Sequence, residues 1–261
     1  GYDFDRGMLR IATMNMILHD IQHVEIAYRN ALSREQMPLD NNVSLILANP
    51  PFTGTVVREE IHSELREQVK TTKSELLFLH LFLKILKING RAAVVVPNGV
   101  LFGSGKAHVD TRRKIIENHI LQGVVSLPSG IFQPYSGVST SILLFQKTDC
   151  GGTERVWFYH MKHDGFSLNA TRTPTEKNDI PDIVNRWKNR QEEGESDRTS
   201  NCFFVPKSEI VANNYDLSFR RYQHIGYEEE EYQSSHEILD ELKDISNQIQ
   251  KKLSSIQDLL Q

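Results

Sequence analysis

The stretch Val43-Ser44-Leu45-Ile46-Leu47-Ala48-Asn49-Pro50-Pro51-Phe52 decides how this chain is read. Its first six residues are a short apolar run, the pattern of a buried strand. The tetrapeptide that follows therefore sits at the strand's C-terminal end, the edge at which open α/β sheets bind ligands. Two consecutive prolines lock φ and remove two backbone donors, so the carbonyls of Asn49 and Pro50 face outward without sheet partners. The Asn49 side chain adds an acceptor and Phe52 adds a ring. A rigid acceptor pair beside a stacking surface suits an exocyclic amine on a flat ring. A Pro-rich turn holding a core Phe is the plain alternative. An apolar strand running straight into the tetrapeptide favours the site.

Outward from this stretch, helices and strands alternate. Met8 to His19 carries Leu9, Ile11, Ala12, Met14, Met16, Ile17 and Leu18, which predicts a largely buried helix. Val24 to Tyr28 reads as a strand. Thr53 to Lys73 is polar and charge-rich, a long loop or exposed helix beside the site. A strong helix starts at Ser74-Glu75, runs through Leu86 and is closed by Asn89-Gly90. Arg91 to Val96 is a strand stopped by Pro97-Asn98-Gly99. A helix over Asp110 to Asn118 and strands over Leu121 to Leu127 and Val138 to Gln146 follow. The alternation to about residue 127 predicts a mostly parallel α/β sheet. Only Pro128 to Gly137 separates the last two strands, which predicts an antiparallel strand at the sheet's edge.

Beyond Gly151-Gly152 the texture changes. Arg155 to Met161 reads as a strand, His163-Asp164-Gly165 as a turn, Thr171 to Asp179 as polar, and Ile180 to Arg190 as a short helix. Gln191 to Asn201 reads as a solvated loop and Glu228 to Glu231 as an acidic linker. Ile238, Leu242, Ile245, Ile249, Leu253, Ile256 and Leu260 then recur at spacings of four and three, a coiled-coil seam of about three heptads. The seam fits a terminal helix docking on a partner, and also an amphipathic helix packed on its own domain. Three regions result: 1–150, 151–227 and 228–261.

Hydrophobic content of 39% with 25% charged residues is that of a soluble globular protein. No apolar run has the length of a membrane span and no secretory leader is visible, which makes the cytoplasm the default location. Cys150 and Cys202 are far apart and suggest neither a disulfide framework nor a zinc site, so no metal is expected. Residues 1–150 hold 16 Lys+Arg against 14 Asp+Glu, and residues 151–261 hold 14 against 20. Neither half has the basic excess of an autonomous nucleic-acid-binding domain. A DNA substrate would take most of its phosphate contacts from elsewhere.

Several segments together resemble the modification subunits of type I restriction-modification systems, in the N6-adenine DNA methyltransferase family. Asn49-Pro50-Pro51-Phe52 resembles the catalytic motif of amino-group DNA methyltransferases, and Met8 to His19 the segment after the cofactor-binding acid. Asn89 to Phe102, Leu127-Pro128-Ser129-Gly130-Ile131-Phe132, and Asn214-Tyr215-Asp216-Leu217-Ser218 with Arg221-Tyr222 match further segments. The resemblance implies a Rossmann-like α/β sheet of the S-adenosylmethionine-dependent methyltransferases, incomplete at its N-terminal side, with a C-terminal extension and a terminal helix.

It also implies the chemistry: methyl transfer from S-adenosylmethionine to N6 of a flipped adenine in DNA. Asn49 and Pro50 would accept hydrogen bonds from the amine, Pro51 completes the motif and Phe52 would stack on the base. Asp3 matches the acid that holds the cofactor ribose, Phe4 lies next to the cofactor adenine, and Asn30 stands where the family has an acid on the adenine amine. The family's glycine-rich cofactor loop has no counterpart here, since Gly103-Ser104-Gly105 follows the wrong strand. A chain opening at Gly1-Tyr2-Asp3-Phe4-Asp5 reads as a segment of a longer protein that binds cofactor weakly by itself. In the family the first strand pairs with the Asn-Pro-Pro-Phe strand, so without it an apolar edge is expected. The implied partners are DNA, a specificity subunit reached through the helix of Ile238 to Leu260, and a restriction subunit. A protein glutamine N-methyltransferase and a catalytically silent assembly module are the competing readings.

Overall fold

The computed structural model describes residues 2–33, 41–190, 197–224 and residue 249. The chain opens with β1 (Tyr2–Asp3) and α1 (Arg6–Leu18). Asp5 starts that helix, its carboxylate accepting the N–H groups of Gly7 and Met8 at 2.6 and 3.1 Å. β2 (Ala27–Tyr28) pairs in parallel with β1. Next come β3 (Val43–Ala48), a 3-10 turn at Arg58–Glu60, α2 (Ser63–Gln68), α3 (Ser74–Ile85), β4 (Leu86–Pro97), α4 (Asn98–Phe102), α5 (Lys106–Asn118), β5 (Ile120–Ser126) and β6 (Thr140–Gln146). β7 (Arg155–His160), β8 (Asp164–Phe166), β9 (Pro174–Asn178), α6 (Ile180–Asn189), β10 (Cys202–Pro206), α7 (Lys207–Ala212) and α8 (Phe219–Tyr222) complete the described part.

Six strands form one sheet in the order β10-β7-β5-β6-β4-β3. β3 and β4, and β5 and β7, are parallel, while β6 runs antiparallel to both its neighbours and β10 antiparallel to β7. The sheet is thus mixed, where the alternation of elements predicts a mostly parallel one. β6 also lies in the interior of the sheet, not at its edge. It is apolar on both faces: Leu143 and Phe145 enter one core, and Ile142 and Leu144 pack on the other. Such a strand is stable only between two partners. Beyond residue 151, β7 and β10 extend this same sheet, and residues 1–224 form one compact unit.

Helix α3 is apolar nearly all round and is buried on two sides. Leu76, Leu79, Phe82 and Leu83 face the sheet, packing on Val94, Val96 and Phe145. Leu77 and Leu81 face outward onto a second cluster with Leu32, Ile61, Leu65 and Val69. The region Thr53 to Lys73, expected as a long loop or exposed helix, is irregular chain around the short helix α2, mostly exposed but anchored on one side. Ile61, Leu65 and Val69 recur every fourth residue and pin it to α3, and Glu64 of α2 pairs with Lys84 of α3. Its charged composition masked that periodicity. On the opposite face, Trp187 of α6 meets Trp157 edge to face at 5.3 Å. Gly123 makes that approach possible, since a Cβ there would sit 2.9 Å from the Trp187 ring.

Other expectations are corrected. α1 buries none of its residues, and Met8, Ile11, Met14, Ile17 and Leu18 are exposed, because among the described residues it packs mainly on the two-residue strands β1 and β2. β3 is not a buried strand: it stands at the sheet edge with Leu47 75% exposed, the apolar edge expected where the family's first strand would pair. Asn89-Gly90 does not stop a helix. α3 ends at Ile85, and the pair lies inside β4, where Asn89 is left-handed (φ 64°) and the pairing with β3 jumps from Leu86 to Arg91. Asp164-Gly165 belong to a strand instead of a turn, β8, which pairs in a hairpin with β9 of the polar, exposed stretch Thr171 to Asp179. The acidic run and the seam of Ile238 to Leu260 lie outside the described residues, except Ile249, which is helical and exposed. No described helix is long and apolar enough to cross a membrane.

Candidate functional site

The C-terminal ends of β3, β4 and β5 lie along one edge of the sheet, and the site is assembled there. β3 delivers Asn49-Pro50-Pro51-Phe52: Asn49 and Pro51 are exposed, Pro50 and Phe52 half-buried. β4 leads directly into Asn98 at the start of α4, whose side-chain oxygen accepts the Ser141 hydroxyl at 2.8 Å and whose N–H donates to the Ser139 carbonyl. That holds the start of β6 against the end of β4. β5 ends at Ser126 and leads into the loop that carries Phe132 back across the edge. The Phe132 ring stands 5.0 Å from the Phe52 ring, at 60°. Two rings supplied by separate elements thus meet at the end of the strand that carries Asn49 and Pro50. Sequence reasoning assigns no role to Phe132, although Leu127 to Phe132 carries part of the family resemblance. A lone aromatic after a Pro-Ser-Gly turn gives no sign of what it will touch.

Beside the Phe132 loop the edge opens into a cleft of about 650 Å³, lined in part by Asn98, Ser126, Ser129, His160 and Arg220. Burial, with Arg220 and Lys162 nearby, holds His160 below the usual histidine range, so its ring is neutral near pH 7. Its Nδ1 is buried without a hydrogen-bond partner, and the ring stacks on Phe219 at 5.1 Å.

Asp3, Phe4 and Asn30 come together separately, at the adjacent ends of β1 and β2. The Arg29 N–H donates to the Asp3 carbonyl at 2.9 Å. One Asp3 carboxylate oxygen accepts the Asp5 N–H at 2.8 Å, leaving the other available. Phe4 is 66% exposed. Asn30 is exposed, and its side-chain oxygen accepts the Leu32 N–H at 3.1 Å. An acid, a ring and an amide at two neighbouring strand ends fit the ribose and adenine of a nucleoside cofactor. Among the described residues no hydrogen bond, ion pair or ring contact joins this group to Asn49–Phe52. The link is indirect: Ser33 bridges Ile61, and the His62 N–H donates to the Leu32 carbonyl at 3.0 Å.

Gly103 and the matched closing segment shape the fold around α5. A Cβ at Gly103 would stand 2.6 Å from the Gly99 carbonyl, so this glycine shapes the α4–α5 corner. Asn214 and Tyr215, both left-handed (φ 56° and 59°), lay the closing segment over α5, where Arg112 donates to the Tyr215 carbonyl at 2.6 Å. Arg112 Nη1 also reaches the carbonyls of Val100 and Gly103, at 2.9 and 3.0 Å.

Known proteins share this sequence pattern and this fold. The pattern of the N-6 DNA Methylase family matches residues 1–231. The Escherichia coli type I restriction enzyme EcoEI methylase subunit is 33% identical over 213 residues, covering 80% of this chain and 43% of that subunit. The crystal structure of a modification subunit of a putative type I restriction enzyme from Vibrio vulnificus YJ016 superposes with a TM-score of 0.66 at 29% identity. That match covers 80% of this chain and 43% of that one. A putative class I S-adenosylmethionine-dependent methyltransferase from Listeria monocytogenes shares the fold, with a TM-score of 0.52 at 18% identity over 72% of this chain and 54% of that one. The chain spans less than half the length of the EcoEI and Vibrio subunits. Its fold is that of the S-adenosylmethionine-dependent methyltransferases, and the chain belongs to the N-6 DNA methylase family.

Proposed function

We propose that this chain carries the target-amine side of a type I modification methyltransferase, which moves a methyl group from S-adenosylmethionine to N6 of a flipped adenine in DNA. The observation that carries the reading is Asn49-Pro50-Pro51-Phe52 at the end of β3, with the Phe52 ring in contact with Phe132. A base inside a duplex cannot reach such a site and must leave the stack. The Asn49 side-chain oxygen and the Pro50 carbonyl then accept the two N6 hydrogens, which draws the nitrogen toward sp³ geometry and aims its lone pair at the methyl carbon. Pro51 fixes φ and keeps the Pro50 carbonyl pointing outward. Phe52 stacks on the base, and Phe132 packs against the Phe52 ring and holds it. Bound S-adenosylmethionine supplies an electrophilic methyl on a good leaving group, so positioning and electrostatics are what the protein adds. Asp3 accepts the ribose hydroxyls, Phe4 lies on the cofactor adenine, and Asn30 takes its amine.

The names of the relatives support a role as one subunit of an assembly. The partners are DNA, a specificity subunit engaged through the helix of Ile238, Leu242, Ile245, Ile249, Leu253 and Ile256, and a restriction subunit. The complex works in the cytoplasm.

Labelled methyl transfer by the assembled subunits tests the reading. Label appears in DNA as N6-methyladenine, and Asn49→Ala lowers kcat by about 100-fold or more. Label recovered in protein instead of DNA would assign the site to glutamine N-methylation.

A further inference from the structure

A second site stands on the segment that follows the tetrapeptide. Arg58, Arg66, Lys70 and Lys73 line one cleft of about 310 Å³, with Thr71 and Thr72 between them and Val69 behind. The four cations come from three pieces of chain: the 3-10 turn, α2, and the extended run before α3. No carboxylate lines the cleft among the described residues. Arg66 Nε is buried without a hydrogen-bond partner, a donor the fold encloses and leaves unmatched. The Thr71 hydroxyl oxygen accepts the Lys73 N–H at 3.2 Å, which leaves its proton to donate outward. Lys73 Nζ lies 3.4 Å from His108 Nε2, which holds the ammonium at the rim.

The backbone ties this cleft to the tetrapeptide. Thr55 bridges Lys73, the Val56 N–H donates to the Thr72 carbonyl at 2.9 Å, and the Ser74 N–H donates to the Gly54 carbonyl at 3.0 Å. Thr55 is three residues from Phe52, hence within roughly 10 Å of it along even a fully extended chain. Phosphates of one DNA strand follow each other at about 3.4 Å along the helix axis, so those within a few nucleotides of a target base fall in that range. Below the cleft, Ile61, Leu65 and Val69 are locked to α3, so the donors sit on a rigid base.

We infer that this cleft binds backbone phosphates of the DNA strand next to the base held at Asn49–Phe52. The inference rests on the DNA methyltransferase reading and supplies what the charge balance left open, a local source of phosphate contacts in a chain without net basic character. Phosphates are gripped by Arg66 and Arg58 as forks and by Lys70 and Lys73 as point charges. None of these contacts reads sequence.

The test is fluorescence anisotropy of a labelled duplex of about 20 base pairs with the full chain at several salt concentrations. Arg58→Gln and Lys70→Gln change exposed residues and spare the core. Each substitution lowers the slope of log K against log salt by about 1 and weakens binding roughly tenfold at 0.1 M salt, equally for unrelated DNA sequences. Arg66→Gln acts in the same direction, while Lys188→Gln on exposed α6 leaves the slope unchanged. An unchanged slope in the Arg58→Gln/Lys70→Gln variant overturns the inference, as does a wild-type chain that binds no DNA at low salt. Displacement of DNA by inorganic phosphate at equal ionic strength, with duplex length immaterial, would assign the cleft to a free anion. Asn49→Ala must stop methyl transfer without moving the slope, so a failure of the methyltransferase reading and a failure of this one register in different measurements.

Discussion

At the scale of single residues, the reading turns on Phe132. Asn49, Pro50 and Phe52 belong to one tetrapeptide and act through one rigid turn, but the half-buried Phe52 ring needs a neighbour to hold it in place. The approach of Phe132 to 5.0 Å completes an aromatic pair whose members are 80 positions apart. Stacking on one aromatic side chain contributes roughly 1–3 kcal/mol per base. Phe132→Ala frees the Phe52 ring and so raises the KM for DNA by up to roughly 150-fold, and Phe132→Tyr restores most of it. Initial rates of labelled methyl transfer check this, and an unaltered KM in the alanine variant would remove Phe132 from the base site.

At the scale of elements, α3 meets α5 through a histidine. The Thr111 hydroxyl donates to the Ala107 carbonyl at 2.7 Å, so it can only accept from His80 Nε2, 3.0 Å away. Nδ1 of His80 is left buried and unmatched. Burial, with Lys114 nearby, lowers the His80 pKa from 6.5 to about 3. The folded ring stays neutral where the unfolded chain binds a proton, between those two values. Stability is thus intact above pH 6.5 and declines as the pH falls, by up to about 1.4 kcal/mol per pH unit from this group alone. His80→Leu leaves Thr111 its partner on Ala107 and flattens that acid limb. Urea midpoints between pH 7 and pH 4 measure the difference, and parallel curves for wild type and variant would contradict it.

At the scale of the whole molecule, the C-terminal part is held to the sheet by Arg112. This side chain is 2% exposed and its guanidinium joins three carbonyls, two from the α4 corner and one from the closing segment. Tyr215 adds its hydroxyl to Glu117 at 3.0 Å, and the Leu217 N–H donates to the Leu101 carbonyl. Withdrawing donors from buried carbonyls costs about 1–3 kcal/mol each. Arg112→Leu should cost about 3 kcal/mol or more, read as a lower urea midpoint at constant m-value. Lysine at 112 recovers only part, because one ammonium cannot span the fork.

By itself the sequence determined the local pieces: the apolar β3 run ending in Asn-Pro-Pro-Phe, the helices around 74–85 and 180–189, and the acceptors of the tetrapeptide. These depend on periodicity and on the locked φ of proline, which act over a few residues. Only the tertiary structure decided what long-range pairing controls. It put β6 inside the sheet, brought Phe132 to Phe52, left α1 uncovered among the described residues, and turned a charge-rich stretch into a cleft anchored by Ile61, Leu65 and Val69. Those outcomes depend on which apolar faces find partners, and the faces that meet lie tens of residues apart in the chain.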